Sequence, residues 1–305
     1  MATPAKRLTA NVAGDFFVDS TCIDCGSCRQ VAPATFAEGD DVSFVFSQPA
    51  DEMAAHRARM ALVACPVAAI GTSAKHRITE ARAAFPEPIE DGVYYCGWAA
   101  ESSYGARSYL VVRPGGNILV DSPRYALPLV ERIEALGGVR WMFLTHRDDV
   151  ADHRKFRERF GCERNLHRAD VTAATREVER KLDGTESIAL DDEALVIPVP
   201  GHTSGSACLL YRGRFLFSGD HAWSDARGER VMASRGVCWY DWDEQTASME
   251  RLRAYSFEWL LPGHGTRCRL APERMHEEVR RCVERMRAGR AALECPLPDP
   301  ETTQR

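Results

Sequence analysis

The stretch Thr21-Cys22-Ile23-Asp24-Cys25-Gly26-Ser27-Cys28 sets three thiols in a C-x-x-C-x-x-C run, and far along the chain Cys65 is followed at once by Pro66. That spacing turns three thiolates toward one iron–sulfur cube, with the remote Cys-Pro supplying the fourth ligand. A zinc knot would use the same four thiolates, but zinc motifs pair two C-x-x-C units, and this chain has one run and a distant partner. The predicted cofactor is one [4Fe–4S] cluster on Cys22, Cys25, Cys28 and Cys65. A three-iron cluster using part of the set is the minor variant.

Working outward, residues 15–21 read as a short strand leading into the cysteine loop. VSFVF (42–46) reads as a second strand, and the segment from Asp51 to Cys65 has helical composition. This unit resembles a single-cluster bacterial-type ferredoxin over most of residues 10–75. In the two-cluster pattern a fourth cysteine before proline serves the other cluster. Here that place is Ala32, with Pro33 retained, and no second C-x-x-C-x-x-C run exists.

The bounds fit a protein of two units. The chain has 305 residues, 45% hydrophobic and 27% charged, with a net charge of −5. That length suits roughly two domains, expected at 1–82 and 83–305. The acidic balance predicts no nucleic-acid partner, because no basic excess exists to neutralise phosphates. No apolar run approaches the ~20 residues a bilayer span needs, and the N-terminus lacks an apolar signal core, so neither membrane association nor secretion is expected. Four of the 11 cysteines have cluster spacing and the others are scattered, which suits a reducing cytoplasm.

Residues 78–90, with two prolines and mixed charge, read as the passage between units. From Gly92 onward strand and helix candidates alternate. VYYCGW, RSYLVVR, NILVDSP, WMFLTH, ALVIPVP, SACLLYRG, RFLFSGD and FEWLLPG are strand-like, rich in β-branched and aromatic residues. ALPLVERIEALGG, EQTASMERLRAY and the segment from Ala271 read as helices. Four polar motifs stand just after apolar strands: His146 to His153 (HRDDVADH), Pro200 to Ser206 (PGHTSGS), Ser218 to His221 (SGDH) and Pro262 to Gly265 (PGHG).

Together these motifs resemble the metallo-β-lactamase superfamily over roughly residues 92–275. The resemblance implies an α+β architecture overall: a small ferredoxin-like domain followed by an αββα sandwich with a dinuclear metal site. His202 would bind one metal, Asp220 would bridge both and His264 would bind the other. His146 matches the first histidine of the family's H-x-H-x-D-H motif, and Asp152 and His153 match its closing pair, with Asp152 as the catalytic group that orients or deprotonates water. The chain departs from the motif by two extra residues and by Asp148 at the place of the second histidine. A helix starting near Asp149 would put Asp149, Asp152 and His153 on one face. Either Asp148 or Asp149 can therefore supply the replacing carboxylate.

Carboxylate in place of imidazole shifts the site toward harder ions, so two iron ions are the first expectation and two zinc ions the second. The flavodiiron branch of the superfamily makes a similar exchange. Three functions follow, in this order. The first is a redox enzyme, in which an external electron donor feeds the cluster and the cluster feeds a di-iron site acting on a small molecule. The second is a zinc hydrolase of an ester, thioester, lactone or phosphoester, with a structural or sensing cluster. The third is a non-catalytic electron carrier. His221 divides evenly between a site-facing and a structural histidine, and Val237–Trp242 between pocket lining and core. Cys208 and Cys268 lie close in sequence to His202 and His264, and both read as buried small hydrophobes.

Overall fold

The computed structural model describes residues 2–289. In the first unit, strand Phe16–Val18 pairs antiparallel with Ile70–Thr72, and Phe36–Glu38 with Ser43–Val45. The helix Glu52–Ala64 starts at Asp51, whose carboxylate accepts from Ala54 N at 2.8 Å. It ends where Pro66 forces the preceding residue out of helical geometry. Cys65 accordingly turns extended, at φ −61 and ψ 120, and its thiol leaves the helix toward the cysteine loop.

Two larger sheets form the rest. One has seven strands in the order Arg180–Leu182, Glu163–His167, Trp141–Phe143, Ile118–Val120, Tyr109–Val111, Val93–Tyr95, Glu87–Glu90. The other has six, in the order Ile188–Ala189, Ala194–Pro198, Ala207–Tyr211, Phe215–Gly219, Trp259–Pro262, Cys268–Arg269. Alternation along the second sheet sorts its side chains into two layers. Val196, Leu209, Tyr211, Phe215, Phe217 and Leu261 pack inward against the first sheet. Ile197, Cys208, Leu210, Leu216 and Leu260 pack outward under Met249 and Leu252 of helix Trp242–Leu252 and Met275 and Val279 of helix Pro272–Arg287. On the far face of the first sheet lie helices Leu127–Ala135 and His153–Phe160. The Tyr109 ring meets Phe217 across the layers at 5.4 Å, and its hydroxyl donates to Pro262 O at 2.8 Å. This is an αββα sandwich.

Two expectations change. The passage at 78–90 is built into the fold: Thr79–Ala83 is helical, and Glu87–Glu90 is the edge strand of the seven-stranded sheet. The helix after His146 begins at His153, four residues later than a start at Asp149 would place it, so Asp148 and Asp149 lie on loop. One continuous apolar cluster runs from Phe16 and Val18 through Phe85 and Tyr95 to Leu261, so the two units share a core. Among the described residues no helix is long and apolar enough to cross a membrane.

Candidate metal centres

Cys22, Cys25, Cys28 and Cys65 converge on one hollow whose other walls include Val18, Ile23, Val67 and Ile70. Backbone amides point at the sulfurs: Ser43 N donates to Cys22 Sγ at 3.4 Å and Ala69 N to Cys65 Sγ at 3.2 Å. Burial pushes the Cys65 thiol up to about 11 and raises Cys28 further. Free thiols here stay protonated, and iron is the kind of partner that makes the thiolate form favourable. The four residues fit a cluster in donor type, convergence and amide support.

The second site is assembled from the carboxyl ends of four strands. His146 follows Trp141–Phe143, His202 follows Ala194–Pro198, Asp220 follows Phe215–Gly219 and His264 follows Trp259–Pro262. His146 Nε2 stands 4.0 Å from Asp148 Oδ2, 3.9 Å from Asp149 Oδ2 and 3.8 Å from Asp220 Oδ2. His202 Nε2 lies 3.6 Å from Asp148 Oδ2 and 3.8 Å from Asp220 Oδ2. Two ligands each about 2.1 Å from one ion lie roughly 3–4 Å apart, so these separations suit shared coordination. Two donor groups emerge, His146 with Asp148 and His202, and His146 with Asp149 and Asp220. His264 Nδ1 meets Asp220 at 2.8 Å.

Orphaned atoms test the fit. His146 Nε2, His202 Nε2, His264 Nε2 and Asp149 Oδ2 are all buried without a hydrogen-bond partner. Such groups are costly unless something binds them. Asp121, Asp149 and Asp220 are also all buried, and Asp148 faces His202. Burial first, then the neighbouring Asp220, Asp121 and Asp148, raise the Asp149 carboxyl well above its ordinary value. Burial, with the Asp220 charge adding to it and the Thr145 hydrogen bonds opposing it, holds the Asp121 carboxyl up at about 8. Cations among these oxygens would relieve both penalties. Space is reserved for them: a Cβ on Gly263 would come within 2.7 Å of Asp149 Oδ2 and 2.9 Å of Asp220 Oδ1.

Neighbouring groups fix the imidazoles. His146 Nδ1 lies 2.9 Å from Thr145 Oγ1, which donates onward to Asp121 at 3.0 Å. His202 Nδ1 donates to Val237 O at 2.5 Å. Both arrangements put the proton on Nδ1 and leave an Nε2 lone pair facing the carboxylates. Burial lowers His146 to about 4, so its ring is neutral. Asp170 ties two ligand loops together, accepting from Arg147 N at 2.9 Å, Thr203 Oγ1 at 2.5 Å and Gly205 N at 2.8 Å. Sequence reading missed Asp121, Thr145 and Asp170. Their only signal is position, two just after a strand and one in a turn beside another.

The structure does not bring Asp152 or His153 into this cluster. The Asp152 carboxylate accepts from Tyr125 N at 2.8 Å and pairs with Lys155 at 2.8 Å. His153 Nδ1 faces Arg164 at 3.1 Å, and burial, then Arg164 and Arg154, push its imidazole down to about 4. The extra residues before the Asp-His pair carry it out of the site, and Asp149 stands in the site instead. His221 is fully buried beside the site with both ring nitrogens unpartnered. Cys208 is enclosed, with its Sγ near Ser218 O, and neither it nor Cys268 is among the converging donors. Trp239 and Tyr240 are exposed, and the Trp239 ring lies 6.1 Å from His202, while Val237 is buried and Trp242 packs on the outer core, so this stretch both borders the site and joins the core.

A cleft of about 840 Å³ opens between the two units. Cys25 and Gly26 line one wall, and Asp220 and His264 line the other. The walls are close. A Cβ on Gly105 would strike the Cys25 side chain at 2.5 Å, the Tyr104 ring lies 6.3 Å from His264, and Arg107 N donates to Gly263 O at 2.8 Å. Segment 104–107 thus joins a cluster ligand to a loop of the second site.

Residues 18–72 match the family described as the 4Fe-4S single cluster domain of Ferredoxin I. Among curated proteins none matches the chain. Among solved structures it is similar to DIM-1 metallo-beta-lactamase, at 17% identity and TM-score 0.49 over 67% of this chain and 96% of that one. It is also similar to a class B3 di-zinc metallo-beta-lactamase from an Alaskan soil metagenome, at 16% identity and TM-score 0.45 over 70% and 98%. ETHE1 from Myxococcus xanthus matches at 16% identity and TM-score 0.45 over 66% and 92%. Fold and site together define an αββα sandwich joined to a four-cysteine unit, and it is this unit that matches the 4Fe-4S single cluster domain.

Proposed function

We propose that this protein is a metal-dependent oxidoreductase in which an external one-electron donor reduces the cluster and the cluster serves a di-iron site. The observation that carries the reading is the shared cleft, lined by Cys25 from one centre and by Asp220 and His264 from the other. A small molecule held there lies against both, and covalent fusion keeps donor and acceptor at high effective concentration. The ion set supplies Lewis acidity and one-electron chemistry when bound.

The remaining roles belong to the chain. Asp148, Asp149 and Asp220 add three carboxylates to three imidazoles, a donor set that suits iron or manganese more than an all-histidine one. Trp239 and Tyr240 form an aromatic rim beside His202 against which a substrate can pack. Tyr104 and segment 105–107 span the gap between the centres.

Zinc-dependent hydrolysis is the second reading, favoured by the three imidazoles with free Nε2 atoms. Metal analysis of anaerobically purified protein separates the two. Redox function predicts about six irons per chain, and about four irons with two zincs overturns it.

A further inference from the structure

Arg107 is among the most deeply enclosed large side chains, 2% exposed, and it is a cation. Among the described residues no carboxylate lies within ion-pair distance of it. Its Nε is buried without a hydrogen-bond partner, and Nη1 reaches only the carbonyl of Gly263 at 3.3 Å. Apart from the cleft, which it lines, the guanidinium has almost no polar partner, and a buried cation so placed favours an anion beside it.

Position says what. Arg107 belongs to the sandwich, yet its Nη2 lies 3.5 Å from the Cβ position of Gly26, the residue after Cys25. Gly105, two residues before it, packs directly on the Cys25 side chain. Arg29, the cation of the cysteine loop itself, is already committed to Asp24 and Ser43. A cluster held by four thiolates is anionic and gains a further negative charge on reduction.

We propose that Arg107 is the counter-ion of the iron–sulfur cluster, supplied across the domain boundary by the sandwich, and that it holds the cluster's reduction potential up. One electron enters the cluster from a reductant, no bond is broken, and the guanidinium charge favours the more negative product. Arg107 also donates through N and Nη1 to Gly263 O, next to His264. It is therefore a positioning residue tied to both centres. The inference concerns the cluster alone and stands whether the second site holds iron or zinc.

The test is a dithionite titration of the cluster, followed by its visible absorbance and by electron paramagnetic resonance, in the full-length protein. At the potential where wild type is half reduced, Arg107→Gln and Arg107→Met should show a reduced-to-oxidised ratio about tenfold lower, which is about 59 mV for one electron. Arg107→Lys should stay near wild type. Arg227→Gln, which removes an exposed cation from the same cleft, should not move the midpoint. An unchanged midpoint in the neutral variants overturns the proposal, as does an equal shift in Arg227→Gln. Should the neutral variants fail to retain a cluster, retention in Arg107→Lys supports the charge role, because methionine would restore packing as well as lysine. Loss in all three variants points to packing and overturns it.

Discussion

Asp149 and Asp152 stand one helical turn apart in sequence and engage different partners, Asp149 the ligand cluster and Asp152 the backbone of Tyr125 with Lys155. The strand-end histidines and Asp220 could be singled out in the sequence because each ends an apolar run, and His202, Asp220 and His264 also follow a glycine. The closing half of the first motif could not, because the helix start that decides it lies at His153 and nothing in HRDDVADH marks that start over one at Asp149. Both Asp148 and Asp149 reach the site, each with a different donor group. Asp148→Ala and Asp149→Ala are each expected to lose second-site metal, measured as ions per chain. Asp152→Ala should keep its metal and lose about 1 kcal/mol of stability, the worth of a hydrogen bond. Metal loss in Asp152→Ala alone would restore the family-like assignment. Thr145→Val breaks the Asp121–Thr145–His146 relay. Its metal affinity, read by competition with a chelator, should fall about 10–100-fold.

At the scale of elements, strands such as Ala207–Tyr211 and Phe215–Gly219 announce themselves, with every residue buried and short apolar runs of leucine, tyrosine and phenylalanine. Glu87–Glu90 does not. Its sequence, Glu-Pro-Ile-Glu, reads as linker, and it works as an edge strand because an edge tolerates proline and an irregular register. Strands Glu163–His167 and Arg180–Leu182 are equally charged and hard to read. Between them Glu179 accepts from Arg164 N at 2.9 Å and from the guanidiniums of Arg164 and Arg157. Burial raises its pKa, but the Arg164 side chain, the Arg164 amide and the Arg157 side chain outweigh that and hold it at about 2. A depressed carboxyl contributes stability that is complete above its unfolded pKa, ~4.3, and is lost as pH falls through the folded value. The stability gap between wild type and Glu179→Gln, from thermal midpoints, should be widest above pH ~4.5 and close toward pH ~2. A gap that stays constant across that range would remove the charge from the explanation.

At the scale of the molecule, two sequence units fold around one apolar core. The boundary was read from composition, and composition is silent on whether Phe85 and Tyr95 pack against the cluster unit or away from it. With a shared core, losing the cluster weakens the whole chain. Cys22→Ser should lose the cluster's visible absorbance and lower the midpoint of a single unfolding transition; two separate transitions with an unshifted second one would show independent domains. The central claim is that both centres exchange electrons. Stoichiometric reductive titration under anaerobic conditions tests it most directly, comparing wild type with His202→Ala. Wild type should take up about three electrons per chain, one for the cluster and one for each of two irons, and the variant about one. Equal uptake of about one electron by both proteins would contradict it.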